Sequence, residues 1–211
     1  FHALAFAGNH PMLFDEVCHS CGGCALLCPA GAIRETDKAV GTVSSGRSGH
    51  VDVFTGRLNI GEASGIPVIK HLLGKIPSGG ERPVFIDCPP GSACAVMESI
   101  KGADFCVLVA EPTVFGAHNL AMVYELVTLF RKPFGVVLNK CQEGENPSEA
   151  FCLEHQVPIL GRIPFDPELG ALNSEGNIAA RENQRYRELF GSLLERIGKE
   201  AQHEAAFDSQ R

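Results

Sequence analysis

Residues 134–139 read Phe-Gly-Val-Val-Leu-Asn, an apolar run of strand length that ends in a polar side chain. Three further runs have the same character, at Pro83–Asp87, Asp104–Ala110 and Pro158–Ile163. Helical patterns lie around them, at about 66–75, 93–100, 116–131 and 147–155. Strands that alternate with helices of this length predict βαβ units, in which a mostly parallel sheet is covered by helices on both faces. The predicted fold class is therefore α/β.

The two ends of the chain differ from this alternating middle. Before about residue 62 the sequence is turn-rich, and the alternation of Val51–Ile60 around Gly56 predicts a β-hairpin in a small module. A last helix is predicted from about Ala180 to Ala201, where apolar residues recur at helical steps. Residues 203–211 are polar and predicted to be a flexible tail. We therefore divide the chain into a module at 1–62, an α/β domain at 63–202 and a tail.

The composition excludes several functional classes. Of 211 residues 45% are hydrophobic, and 25 acidic against 18 basic residues give a net charge of -7. This balance, without a long Lys/Arg run, argues against nucleic acid or an anionic membrane as partner. The apolar runs are far shorter than the roughly 18 residues that a transmembrane helix needs, so no membrane span is predicted. No secretory signal pattern is visible, and the nine cysteines favour a reducing, cytoplasmic compartment.

Four of the cysteines form one run, with the spacing C-x2-C-x2-C-x3-C-P. This is the spacing with which bacterial ferredoxins hold [4Fe-4S] clusters. A four-cysteine zinc site is the alternative, but zinc sites normally separate two C-x2-C pairs by a longer loop, so the spacing favours iron and sulfide. The predicted metal ligands are Cys18, Cys21, Cys24 and Cys28.

The fourth cysteine of such a run can serve a second cluster. The segment Pro29–Ile33 aligns with the first residues of the chain if Phe1 takes the place of Ala30, and this register puts another Cys two residues before Phe1. The resulting hypothesis is that Cys28 serves a second cluster, and that the first cluster needs a ligand from upstream.

Polar residues follow each predicted strand of the second domain. Asp87 ends the first strand and is followed by a rigid Cys-Pro-Pro-Gly turn. An aspartate at the carboxyl end of a parallel strand is where a magnesium-nucleotide site takes a water-mediated carboxylate, although it can also simply cap the next helix. The other strand ends carry Glu111, Asn139–Lys140 and Pro164–Asp166.

Read in order, these segments resemble the MinD/Mrp/ParA superfamily of P-loop ATPases, and specifically its branch with an inserted two-cluster ferredoxin domain. The resemblance covers nearly the whole chain. It implies a P-loop NTPase-like sheet preceded by a ferredoxin-like 4Fe-4S module. The Asp-x-Pro-Pro-Gly segment is the Walker B and switch II region of that superfamily, which implies these roles for Asp87, Pro89, Pro90 and Gly91.

The resemblance also implies which residues surround the nucleotide base. The Asn of an Asn-Lys pair contacts adenine, which implies Asn139, with Lys140 beside it. The Ile-Pro-x-Asp loop lies beside the base, which implies Pro164 and Asp166. Glu111 ends the strand that would neighbour the phosphate-loop strand.

One motif of that superfamily has no match in this sequence. The deviant Walker A, K-G-G-x-G-K-[ST], does not occur, and the glycine-rich residues 77–80 lack both its Lys and its following helix. A missing N-terminal piece would explain this absence and that of the first Cys motif together. The absent strand would lie between the strands that end in Asp87 and Ala110, so we expect these residues alone to be poorly soluble or to bind no ATP.

The resemblance therefore implies an iron-sulfur ATPase. The intact protein would carry two [4Fe-4S] clusters, bind and hydrolyse ATP with Mg2+, and close as an ATP-dependent homodimer. Asp87 would hold the water shell of the metal, and the nucleotide state would couple to electron transfer or to cluster handling with a redox or Fe-S client protein. The alternative is a ferredoxin-type electron carrier whose nucleotide site is degenerate. A partitioning ATPase is disfavoured, because no basic amphipathic terminal helix is seen.

Overall fold

The computed structural model describes residues 2–77 and 82–208, with side chains described through His203. The glycine-rich residues 78–80 rejected above as a phosphate loop lie outside the described residues, as does Phe1, on which the repeat register depends. The chain forms two compact units. The first comprises the residues up to Pro89 with Cys94–Ser99, and the second comprises Pro90–Ala93 and the residues from Ile100 onward. The division predicted near residue 62 stays a prediction.

The first unit is built from two antiparallel hairpins and short helices. Strands β1 (Leu4–Ala7) and β2 (His10–Leu13) form one hairpin, and β3 (Gly41–Ser48) and β4 (Val51–Leu58) form the other. Between them lies the one-turn helix α1 (Gly23–Leu26). Helix α2 (Ile66–Leu73) also belongs to this unit, as does helix α3 (Cys94–Ile100) up to Ser99.

The hairpin predicted within Val51–Ile60 is wrong in its turn position. Residues 51–58 are a single strand, and the turn is at Gly49, whose φ is +62°. Gly56 lies mid-strand because α2 packs directly on it: a Cβ there would lie 2.7 Å from Leu72 Cδ1. Glycine in a strand interior often marks such a close approach, which the sequence pattern cannot tell from a turn.

The second unit alternates strands and helices. Its elements are β5 (Cys106–Ala110), α4 (Val114–Leu129), β6 (Phe134–Cys141), α5 (Pro147–Glu154), β7 (Ile159–Pro164), α6 (Pro167–Ser174), α7 (Ala179–Glu182) and α8 (Gln184–Asp208). The strands pair in parallel in the order β5-β6-β7, which confirms the α/β class. The four helices predicted before residue 156 are also confirmed, each within two residues at either end.

The end of the chain differs from its prediction. The helix α6 was not predicted, and the last helix is interrupted at Asn183 before α8 begins at Gln184. Helix α8 continues to Asp208, so the expected tail from residue 203 is largely helical. Among the described residues, no helix is both long and apolar enough to cross a membrane.

Strand β6 is the centre of the second unit's core. Val136 and Leu138 are 0% exposed on one face, and Val137 is 3% exposed on the other. On the Val137 face, Leu160 and Ile163 of β7 complete a cluster against which apolar side chains of α8 pack, namely Leu189, Phe190, Leu193 and Ile197. The buried runs of β6 and β7 explain why their sequences are nearly continuous in apolar residues.

The strand predicted at Pro83–Asp87 is wrong for the described structure. These residues belong to no strand, and β5 has a neighbour on one edge only among the described strands. A strand is defined by hydrogen bonds to a neighbour, and an apolar sequence cannot supply that neighbour. Val107 and Val109 are correspondingly exposed on one face of β5.

The contact at Gly56 is testable by substitution. We expect Gly56→Ala to lower the free energy of unfolding by about 1–3 kcal/mol, because the new methyl group overpacks against Val68 and Leu72. Gly46→Ala on the paired strand is the control, since a Cβ there meets no atom within 4 Å. Urea unfolding of both variants measures the difference, and equal midpoints would contradict this packing.

Candidate functional site

The carboxyl ends of β5, β6 and β7 lie at one edge of the parallel sheet, which is where ligands bind in open α/β sheets. Two predicted site residues meet there. The Lys140 ammonium group donates to the Glu111 carboxylate at 2.6 Å, which joins the end of β6 to the end of β5. Both side chains are about half exposed, so the pair is accessible to a ligand.

The backbone at Asn139 and Lys140 is irregular. Pairing passes from Leu138 opposite Arg162 to Cys141 opposite Pro164, so β6 has one extra residue at this point. Lys140 has a φ of +54°, and its N–H donates to Asn139 Oδ1 at 3.0 Å. Bulges of this kind redirect side chains at sheet ends and are common beside active sites. The sequence carries no signal for the bulge beyond the Asn-Lys pair itself.

The main chain of Glu111 is held from two sides. Its carbonyl oxygen accepts from Ser148 Oγ at 2.6 Å and from the Thr113 N–H at 2.8 Å. The Thr113 side chain in turn caps α4 by accepting from the Gly116 N–H. Ser148 is fully buried, and sequence reasoning missed it because a serine in the first turn of a helix has many ordinary uses.

The Asp166 side chain is largely buried, and both of its oxygens accept hydrogen bonds from neighbouring residues. Oδ1 accepts from the N–H groups of Glu168 and Leu169, which caps α6, and Oδ2 accepts from the Tyr186 hydroxyl at 2.9 Å. The Arg185 guanidinium also lies 3.1 Å from Oδ2, and the Asp166 side chain is only 11% exposed. Sequence reasoning missed Tyr186, which supports this loop from α8.

These contacts shift the pKa values of both Asp166 and Tyr186. The hydrogen bond from Tyr186 is the main cause that lowers the pKa of Asp166, with the backbone N–H groups and Arg185 acting in the same direction. Burial, followed by the neighbouring Asp166, raises the pKa of Tyr186 to about 12. The phenol therefore stays protonated and the carboxylate ionised across the physiological range.

Pro164 and Phe165 connect β7 to this capped turn. The Phe165 N–H donates to the Cys141 carbonyl at 2.8 Å, so the turn stays beside the end of β6. The Phe165 ring is 54% exposed. The structure thus brings Glu111, Lys140 and Asn139 together, with Phe165 tied to the same strand end.

Asp87 lies in the first unit. It lines a largely apolar pocket of about 380 Å³ together with Leu58, Val68, Leu72 and Ser99. Burial, the largest effect, raises the pKa of the adjoining Cys88 thiol. Pro90 and Gly91 begin the second unit, and Gly91 has a φ of +90°, which favours glycine at this turn.

The cysteine run forms a tight loop with accessible thiols. Cys18 and Cys28 are half-buried, Cys21 and Cys24 are exposed, and all four are free. Ser20 and Gly22 have φ values of +51° and +74°, and these turns separate the first three cysteines. Within residues 2–77 and 82–208, no group of three or more His, Cys, Asp or Glu side chains is arranged to hold a metal ion.

The surroundings of Cys28 fit a ligand thiolate. The Ala32 N–H points at its sulfur over 3.4 Å, and this interaction is the main cause that lowers the pKa of Cys28. The left-handed Gly31 allows the chain to turn around the sulfur. Because the thiolate is the form that binds iron, four free thiols with this backbone fit an iron-sulfur cluster as a donor set, although the described side chains are not gathered into one site.

Comparison with known proteins places the fold. No protein-family profile matches the chain. Its curated relatives include two uncharacterized proteins of Methanocaldococcus jannaschii. MJ0578 is 25% identical over 142 residues, 67% of this chain and 49% of that protein. MJ0579 is 22% identical over 138 residues, 65% of this chain and 50% of that protein. The chain thus spans about half the length of these relatives.

Two solved structures share the fold. The MinD cell division protein of Aquifex aeolicus matches with a TM-score of 0.53 at 17% identity, covering 63% of this chain and 61% of that one. The Pyrococcus furiosus cell division ATPase MinD matches with a TM-score of 0.53 at 24% identity, covering 62% and 57%. The chain therefore has an α/β fold that resembles the MinD fold.

The Asp166–Tyr186 contact is testable through titration. The chain has two tyrosines, so in a Tyr124→Phe variant Tyr186 alone contributes the ultraviolet phenolate signal. We expect that signal to appear near pH 12. Adding Asp166→Asn lowers the midpoint because the nearby negative charge is lost, but the midpoint stays above 10.0 because the ring remains buried.

The same pKa shift fixes the sign of a stability change. A phenol whose pKa rises on folding contributes stability that is fully present below its ordinary value of 10.0 and lost as pH rises toward about 12. Tyr186→Phe should remove this part of the pH dependence of unfolding. A midpoint for Tyr186 at its ordinary value would contradict the contact.

Proposed function

We propose that the intact protein is an iron-sulfur ATPase, which binds and hydrolyses MgATP and couples its nucleotide state to electron transfer or to the handling of Fe-S clusters. The observation that carries the proposal is the meeting of Glu111, Asn139 and Lys140 at the carboxyl edge of a MinD-like sheet. The similar Pyrococcus furiosus protein is described as a cell division ATPase, which supports nucleotide chemistry on this fold.

The proposed binding of MgATP gives a role to each of several residues of this chain. Asp87 would hold the water shell of Mg2+, and Pro90 and Gly91 would form the adjoining switch turn. Asn139, with Lys140 beside it, would bind the base, and Pro164 and Asp166 would flank it. Bound Mg2+ neutralises phosphate charge during phosphoryl transfer, so the protein's main task is positioning. The proposal also requires a phosphate-binding loop, which these 211 residues lack.

The cluster part rests on the cysteine run. Cys18, Cys21 and Cys24 would bind one [4Fe-4S] cluster, and Cys28 would serve a second. Such clusters supply one-electron transfer. We further propose that the protein acts in the cytoplasm as an ATP-dependent homodimer whose closure changes the access of a redox or Fe-S client protein to the clusters.

A second candidate is a ferredoxin-type electron carrier that does not hydrolyse ATP. The observation that favours it is the absence of a Walker A pattern from the sequence. Sequencing the coding DNA upstream of Phe1 separates the two. A Walker A followed by a second cysteine motif supports the ATPase, whereas a start codon close to Phe1 with neither motif supports the carrier.

The metal role of Asp87 predicts a large kinetic effect. In the full-length protein, we expect Asp87→Asn to lower kcat for ATP hydrolysis by about 100-fold, because the metal's water shell loses its position. Asp104→Asn makes the same charge change just before β5, at the amino end of the sheet, and should leave kcat unchanged. Phosphate release assays measure both, and similar rates for the two variants would count against this role.

The ligand role of the cysteine run is tested independently of ATP. After anaerobic reconstitution of the full-length protein with iron and sulfide, Cys24→Ser should lose the absorbance and the reduced-state electron paramagnetic resonance signal of the cluster that Cys18, Cys21 and Cys24 bind, and keep those of the second cluster. Cys94→Ser removes another exposed thiol and should keep both signals. Equal iron content in the two variants would refute the assignment, as would replacement of iron by stoichiometric zinc in the protein as isolated.

A further inference from the structure

We propose that a cavity between the β3–β4 hairpin and the end of α2 binds a small organic phosphate, and that Ser45, His71 and Lys75 donate to the phosphate oxygens. The cavity lies within the first unit and has a volume of about 260 Å³. None of its residues has a role in the proposed nucleotide or cluster sites, so the inference is independent of both. The cavity is lined by Val43, Ser44, Ser45, Phe54, His71 and Lys75.

The first argument is how the hairpin places its side chains. A Cβ at Gly41 of β3 or at Gly56 of β4 would meet Val68, so these two positions face α2. Side chains alternate along a strand, so Ser45 and Phe54, each an even number of residues from one of these glycines, face α2 as well. The two residues are directly paired in the hairpin. A hydroxyl group and an aromatic ring therefore lie side by side on this face.

The second argument is a pair of basic side chains on the opposite wall. His71 lies in the last turn of α2, and the Lys75 N–H donates to the Leu72 carbonyl at 2.9 Å, so the chain keeps turning past the end of the helix. Residues four apart on a helix lie on the same side of it. Both basic side chains accordingly line the cavity. This wall thus carries an ammonium group next to an imidazole ring.

The third argument is that these donors are available. Within residues 2–77 and 82–208, neither basic side chain forms an ion pair and the Ser45 hydroxyl forms no hydrogen bond. Lys38 and Arg47 of the same unit, by contrast, are paired with Glu62 and Asp52. No acidic residue is among the described residues that line the cavity. The cavity therefore offers positive charge and unused donors to an anion.

The donor set favours a phosphate monoester over a carboxylate. A phosphate monoester carries a charge of about -1.5 to -2 near pH 7 and three strong acceptor oxygens, so it can meet all three donors. A lysine binds phosphate as a compact point charge, and the imidazole and hydroxyl groups each donate a further hydrogen bond. The Phe54 ring offers an apolar surface to the organic part of the ligand. A small phosphate monoester with an apolar or aromatic body matches this arrangement.

The test is calorimetric titration of the full-length protein with phenyl phosphate, inorganic phosphate and benzoate. We expect phenyl phosphate to bind more tightly than benzoate, and Lys75→Met to weaken phenyl phosphate about tenfold, because a hydrogen bond between charged groups is lost. Lys70→Met removes the same charge from the same helix at a position that does not line the cavity, and should leave the affinity unchanged. Any binding at the proposed nucleotide site is common to both variants.

Two further variants test the geometry of the cavity. Ser45→Ala should weaken phenyl phosphate and inorganic phosphate by the same factor, because both ligands lose the same hydroxyl donor. Phe54→Leu should weaken phenyl phosphate alone, since inorganic phosphate has no ring to lie against Phe54. A general loss of stability would instead weaken both ligands in both variants.

Three results would overturn the proposal. The first is the absence of saturable binding of phenyl phosphate. The second is an equal effect of Lys75→Met and Lys70→Met, since the overall charge of the unit would then account for binding. The third is benzoate binding as tight as that of phenyl phosphate, which would replace the phosphate by a carboxylate. None of these results bears on the ATPase proposal.

Discussion

The parallel pairing of β6 with β5 and β7 is the constraint on which the candidate site depends. Strand β6 is hydrogen-bonded along both edges and buried on both faces, so it can neither slide nor rotate without exposing Val136, Val137 and Leu138. Parallel pairing brings the three strand ends to one edge. Side chains 29 residues apart in sequence, those of Glu111 and Lys140, are thereby placed in contact.

The polar contacts at this edge are of two kinds. The Glu111–Lys140 pair is about half exposed, and exposed ion pairs contribute little to stability, so a ligand can displace it at low cost. The contacts of Asp166 are largely buried and join the end of β7 to α6 and α8. The first kind leaves groups available for chemistry, and the second holds the surrounding loop still.

The cysteine run shows a different relation between sequence and structure. Its spacing and its left-handed turns are local features, and they set how closely the thiols follow one another along the chain. The local backbone therefore sets the spacing of the thiols, but the described side chains are not arranged as a metal site.

The sequence by itself determined the α/β class, the positions of β5, β6 and β7 and the approximate positions of α2 to α5, because these depend on apolar runs and helical periodicity within short segments. It also contains the C-x2-C-x2-C-x3-C-P spacing on which the proposed cluster site rests. Only the tertiary structure decided that Gly56 lies under a helix, that Pro83–Asp87 pairs with no described strand, and that β6 bulges at Asn139. Only the tertiary structure likewise decided that the Asp166 carboxylate accepts a hydrogen bond from the Tyr186 hydroxyl. The physical reason is that a pattern of apolar and polar residues reflects interactions between residues that are close in sequence. Strand neighbours, close packing contacts and side-chain partners are supplied by segments that are distant in sequence.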